Sequence, residues 1–128
     1  MHNFDFSGNT ILIAEDEDAN FMLLSILLKK SNAAVVRART GLQVVEIVKT
    51  QNIDLILMDI KMPLMDGNEA TIEVRKLKPQ IPIIAQTAYA LSEEQEKIKR
   101  LNYSDSVTKP IRAVDLLERI NQLIDRSE

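Results

Sequence analysis

The 128-residue chain contains no cysteine, so disulfide cross-links and thiolate metal ligands are excluded. Its one histidine, His2, lies in a polar amino-terminal leader. Chemistry that needs an imidazole base, Ser/His/Asp triads included, is therefore set aside, and His2 reads as an unconstrained end residue. No apolar stretch approaches the length of a membrane span, and residues 1–7 lack the charged-then-apolar pattern of a secretion signal. The net charge is −3, with Lys and Arg scattered among Asp and Glu, which leaves no basic stripe to neutralise nucleic-acid phosphates. These absences point to a soluble, cytoplasmic chain that touches neither nucleic acid nor membrane.

A hydrophobic content of 45% in 128 residues suffices for one core. From Thr10 onward, short apolar runs alternate five times with segments of helical spacing, the pattern of βα units on a parallel sheet. The expected strands are 10–14, 33–38, 53–58, 81–86 and a weaker 105–108. The first, third and fourth are the most apolar and belong in the middle of the sheet, since strands buried on both faces read as continuous hydrophobic runs. Five units are too few for a closed barrel. The expected architecture is a doubly wound, flavodoxin-like α/β fold with helices on both faces and strand order 2-1-3-4-5. Residues 1–9 read as a leader or linker remnant and residues 10–126 as the domain.

Between the strands, Phe21, Leu24, Leu27 and Leu28 mark one helical face, and Leu42, Val45 and Val48 another. A third helix follows Gly67, with Ala70, Val74 and Leu77 inward and Pro79 ending it. A fourth begins near Ser92, where Ser92 and Gln95 have capping-box spacing, and carries a thin stripe of Ile98 and Leu101. A fifth, after Pro110, carries Leu116, Leu117, Ile120 and Ile124. Pro63 stiffens the loop after the third strand and Gly67 permits the turn into the third helix. Met58, Met62 and Met65 read as packing.

In such sheets ligands bind beyond the carboxyl ends of the strands, where strand order reverses. Glu15 and Asp16 end the first apolar run and Asp59 ends the third, so three acids converge on one rim. Their mutual repulsion is tolerable if a divalent cation screens them or if one takes up a proton. A few carboxylates with open access suit Mg²⁺. Thr87 and Lys109 end the fourth and fifth runs on the same rim. Acids, a hydroxyl donor and a fixed cation are the groups that receive a phosphoryl group on a carboxylate.

These residues resemble the receiver domain of two-component response regulators, over about residues 10–124. The motifs are Glu15-Asp16 in ILIAEDED, Asp59 in LILMDIKMPLMDG, Thr87-Ala88 in PIIAQTAYA and Lys109-Pro110 in VTKP, separated by 43 residues from Asp16 to Asp59, 28 to Thr87 and 22 to Lys109. The resemblance implies that Asp59 accepts a phosphoryl group from a phosphohistidine on a histidine kinase or histidine phosphotransfer protein. It also implies Mg²⁺ held directly by Asp16, Asp59 and the Lys61 backbone carbonyl, with Glu15 acting mainly through water. Lys109 would contact the acceptor or its phosphate, and the Lys109-Pro110 bond would be cis. Thr87 would be the switch hydroxyl, and the domain would catalyse its own phosphorylation and dephosphorylation. Asn20 and the QTAYA segment are similar to receivers attached to hybrid sensor kinases.

The chain departs from the family pattern at Ser106, where an aromatic residue usually turns inward on phosphorylation. Activation without that ring, or with Tyr89 or Tyr103 in its place, is the expectation. Lys61 and Tyr89 lie two positions beyond the acceptor and the switch hydroxyl, where Tyr89 would slow water attack. The partner surface is expected on the first, fourth and fifth helices, with Phe21 and Met22 near the acidic rim. The alternative function is a Mg²⁺-dependent phosphohydrolase with an aspartyl-phosphate intermediate; a receiver that binds partners without phosphorylation is a third reading. Each phosphoryl reading requires Asp16 and Lys109 to lie within about 10 Å of Asp59.

Overall fold

Continuous apolar runs of five residues are too short for independent helices and rich in β-branched side chains, so they pair as strands. The computed structural model describes residues 4–88 and 92–124. These form β1 (Thr10–Ala14), α1 (Asp18–Lys30), β2 (Ala34–Ala38), α2 (Gly41–Thr50), β3 (Leu55–Asp59), α3 (Gly67–Leu77), β4 (Ile83–Thr87), α4 (Ser92–Arg100), β5 (Asp105–Thr108) and α5 (Ala113–Leu123). All strand pairs are parallel, in the order β2-β1-β3-β4-β5. Every residue of β3 and β4 is buried, whereas the edge strands β2 and β5 are only partly so.

Alternate strand residues feed two cores. Ile11, Ile13, Leu55, Leu57 and Ile84 pack with α1 and α5 residues such as Leu24, Leu28, Leu116 and Ile120. Leu12, Ile56, Met58, Ile83 and Ala85 pack with Val44, Val48, Ala70, Val74 and Ile98 on the other face. Met62 is buried and Met65 packs at the edge of this second core, so the methionines are packing groups.

β3 and β4 begin two residues later than the apolar runs suggest and extend one residue further, taking in Asp59 and Thr87. Pro82 has no N–H to give the ladder, though its carbonyl accepts from Ile56 N at 2.9 Å. At the start of β3, the Asp54 carboxylate accepts from Thr10 N at 2.7 Å. β2 begins one residue late, at Ala34.

The inward face of α2 differs from the expected one: Gly41, Val44 and Val48 are buried, while Leu42 is exposed. Three-residue steps from Leu42 follow a line that drifts off the face, whereas steps of three and four stay on it. Leu77 is likewise exposed, and Asn68 and Thr71 complete the buried face of α3. The capping box lies on α3 and not at Ser92. The Asp66 carboxylate accepts from Glu69 N at 2.8 Å and the Glu69 carboxylate reaches back, while Ser92 is already helical. Gly67 is needed for close approach and not for a left-handed turn, because a Cβ there would overlap the Asp59 carbonyl oxygen.

The stretch 4–9 packs on the sheet. Phe6 is fully buried in the core beneath α1 and α5, its N–H donates to Ser31 O at 2.7 Å, and Ala34 N donates to Asn9 O at 2.9 Å. No helix among the described residues is long and apolar enough to cross a membrane.

Candidate phosphoryl-receiving site

The strand order reverses between β1 and β3, and both strands end there in acids. Asp59 is the last residue of β3 and is 6% exposed. Glu15 follows β1 and is fully buried; Asp16, one residue on, is exposed. One carboxylate oxygen from each of Glu15, Asp16 and Asp59 lies within 4.8 Å of the others. Lys109, just beyond β5, places its Nζ 3.1 Å from Asp59 Oδ2 and 3.7 Å from Glu15 Oε1. The distance requirement is therefore met for both Asp16 and Lys109.

The backbone fixes this convergence. Glu15 N donates to Ala38 O at 2.9 Å and Lys109 N to Thr87 O at 2.8 Å, carrying the strand ladders one residue past their ends. The Lys109-Pro110 bond is cis. Lys61 N donates to Asp59 Oδ1 at 3.3 Å, and Glu17 N to Glu15 Oε2 at 3.2 Å. Thr87 is buried at the end of β4 and lines the same cleft as Asp59, Lys61 and Asn68, a space of about 250 Å³.

The electrostatics reflect this crowding. Burial first, then the charge of Asp59 and a shared hydrogen bond with it, push the Glu15 carboxyl up to about 7. Burial alone would lower the Lys109 ammonium, but Asp59 outweighs it through charge and hydrogen bond, helped by Glu15 and Glu17, and holds Lys109 above its usual value. Glu15 Oε1 is buried and accepts no hydrogen bond among the described residues. A hard divalent cation fits this set, since it would satisfy that oxygen and relieve the repulsion among the three acids.

Ser106 Oγ donates to Gln95 Oε1 at 3.3 Å, joining β5 to α4. Tyr103 is buried, with its hydroxyl donating to Asn68 Oδ1 at 2.9 Å. Tyr89 lies outside the described residues. Phe21 is partly buried, and Met22, Leu23 and Ile26 are exposed along α1. Sequence reasoning missed Arg37 of β2, whose guanidinium reaches the loop carrying the acids. No spacing rule joins an edge-strand Arg to that loop.

Fold and site together define a class: a doubly wound α/β domain whose switch point gathers three carboxylates and a lysine on one rim. Residues 11–121 match the family model of the response regulator receiver domain. The chain is 38% identical over 119 residues to the signal transduction histidine-protein kinase BarA of Escherichia coli (strain K12), covering 91% of this chain and 12% of BarA; it thus spans about an eighth of that relative's length. A receiver domain of sensor histidine kinase PA1611 from Pseudomonas aeruginosa PAO1, solved with a magnesium ion in its active-site cleft, superposes with a TM-score of 0.85 at 31% identity, covering 91% of this chain and 98% of that one. The receiver domain of Ssk1 from Saccharomyces cerevisiae, solved with the histidine phosphotransfer protein Ypd1, gives a TM-score of 0.86 at 27% identity, covering 92% and 90%. The chain belongs to the response regulator receiver domain family, the phosphoacceptor modules of two-component phosphorelay signalling.

Proposed function

We propose that Asp59 is the phosphoacceptor, that Glu15, Asp16, Asp59 and the Lys61 backbone carbonyl hold Mg²⁺, and that the domain acts as a receiver similar to that of a hybrid sensor kinase. The observation that carries this reading is the convergence of the three acids within 4.8 Å beside a lysine 3.1 Å from the acceptor. A carboxylate oxygen of Asp59 attacks the phosphorus of a phosphohistidine; the P–N bond breaks as the P–O bond forms, and the imidazole leaves with the electron pair. Bound Mg²⁺ supplies charge neutralisation at the phosphoryl oxygens. Lys109 balances the remaining charge. Thr87 donates its hydroxyl to a phosphoryl oxygen and the Lys61 N–H orients the acceptor. Water attack on the resulting acyl phosphate then returns the carboxylate, so the domain catalyses both its loading and its reset.

The donor is a histidine kinase or a histidine phosphotransfer protein. The surface offered to it is the α1 side of the rim, where exposed Leu23 lines a cleft with Leu24, Pro110 and Ile111 beside Lys109, and Met22 and Ile26 are exposed on the same helix. Ser106 leaves no ring to swing inward, so the switch works through Thr87 and the β5–α4 contact. Incubation with acetyl phosphate and Mg²⁺ tests the reading: one phosphoryl group per chain is expected. Sustained turnover of many phosphoesters would instead identify a phosphohydrolase.

A further inference from the structure

We infer that Arg37 is the positioning residue of the cation pocket, holding the peptide that joins Glu15 to Asp16 in the orientation that sends one carboxylate inward and the other to the open rim. The inference rests on the reading of Glu15, Asp16 and Asp59 as a Mg²⁺ site. Arg37 sits on β2 opposite Ile13 of β1. It shares the sheet face of Val35, which packs in the core beneath α1, so its side chain lies under the first turn of that helix.

All three nitrogens of its guanidinium are engaged. Nε and Nη2 donate to the Glu15 carbonyl oxygen at 3.2 and 3.0 Å, Nη1 lies 2.8 Å from Asp18 Oδ1, and the group stacks over the Phe21 ring with Cζ 4.4 Å from its centroid. The side chain is only 17% exposed. The Glu15 carbonyl belongs to the planar unit between the two acids. Two bonds from a rigid fork to one oxygen therefore fix that plane, and with it the directions in which the two side chains leave the chain. Asp18 and Phe21 fix the fork from the helix side, and the Glu17 N–H on Glu15 Oε2 closes the loop from within. The same three contacts tie the acid loop to the first turn of α1.

Charge and geometry predict opposite signs, which makes the inference testable. A nearby guanidinium repels a cation, so if Arg37 acted only through charge, Arg37→Gln would tighten Mg²⁺ binding and Arg37→Lys would leave it unchanged. If Arg37 positions the loop, both variants weaken binding, because neither an ammonium nor an amide reproduces the paired bonds to the carbonyl with the simultaneous contact to Asp18. Mg²⁺ affinity is read by calorimetry on the intact chain, with far-UV circular dichroism as the folding check. Arg37→Lys is expected to weaken Mg²⁺ about tenfold, the size found when groups that orient metal ligands are lost. In metal-free protein the same variant should speed amide hydrogen exchange at Asp16 and Glu17. Arg39→Gln removes a guanidinium that meets Asp18 at 2.9 Å, and should change the affinity by less than about twofold.

Unchanged or tighter binding in Arg37→Lys overturns the inference, as does an equal loss in Arg39→Gln. If Arg37→Gln fails to fold, Arg37→Lys still decides. If the wild-type chain binds no Mg²⁺, the cation-site reading falls and this inference with it; wild-type binding with an unaffected Arg37→Lys removes this inference alone.

Discussion

The Glu15 carboxyl should make the metal-free domain lose stability as pH rises from about 4.5 to about 7. Burial, followed by the Asp59 charge and the bond shared with Asp59, moves it from 4.5 to about 7. The folded state therefore binds a proton more tightly than the unfolded chain does. The resulting stability is fully present below the unfolded value and is lost as pH climbs through the folded one. A displacement of this size corresponds to about 3 kcal/mol, of which about 2 kcal/mol should disappear between roughly pH 5 and 8, the rest being lost already below pH 5. Asp18, held low by hydrogen bonds from Arg37 and Arg39, titrates below this window. The chain has no tryptophan, so urea unfolding in chelator is followed by far-UV circular dichroism. Glu15→Gln keeps the shape and removes the titration, and its stability should be nearly flat over the same range. Millimolar Mg²⁺ should restore most of the wild-type loss at the alkaline end, because only the folded pocket binds it. Wild-type stability that is flat or rises across the window, or a Glu15→Gln variant that keeps the full loss, would refute the reasoning.

Phe6→Ala should destabilise the domain by about 3–4 kcal/mol and lower Tm by roughly 10–15 °C, because the ring is fully buried; a loss under about 1 kcal/mol would show that the leader does not hold its place. Gly67→Ala would normally help the first turn of a helix, yet here the added Cβ meets the Asp59 carbonyl, so chemical denaturation should show a loss of about 1–3 kcal/mol. Lys109→Gln removes the ammonium 3.1 Å from Asp59; the rate of phosphorylation by acetyl phosphate should fall about a hundredfold, while calorimetric Mg²⁺ affinity holds or tightens because a competing cation has gone.

The strand order and the convergence of Glu15, Asp16, Asp59, Thr87 and Lys109 on one rim were legible because both follow from local signals. Apolar runs marked the strands, and the acids, threonine and lysine ending the first, third, fourth and fifth runs had only one rim to occupy once the switch point was placed. The strand limits at Leu55 and Ile83 were less legible, because Pro82 and Asp54 interact across strands. Reading α2 from Leu42 failed because one helix carries apolar residues on two faces, and only packing shows that Val44 points inward. The burial of Glu15 was also hidden: neighbouring acids in sequence alternate in direction, and the Arg37 contacts to the peptide between them join residues on different strands. Phe6 was taken for part of a linker because a lone aromatic in a polar stretch gives no period, and its pocket exists only after α1 and α5 have packed.

The residue on which the phosphoryl group lands is the decisive measurement. Phosphorylation by a histidine-phosphorylated transfer protein in Mg²⁺, followed by borohydride trapping of the acyl phosphate and peptide mapping, should mark Asp59 alone, with no labelling in Asp59→Asn or in chelator. Labelling at Asp16, Glu15 or another side chain, or equal labelling in chelator, would contradict it.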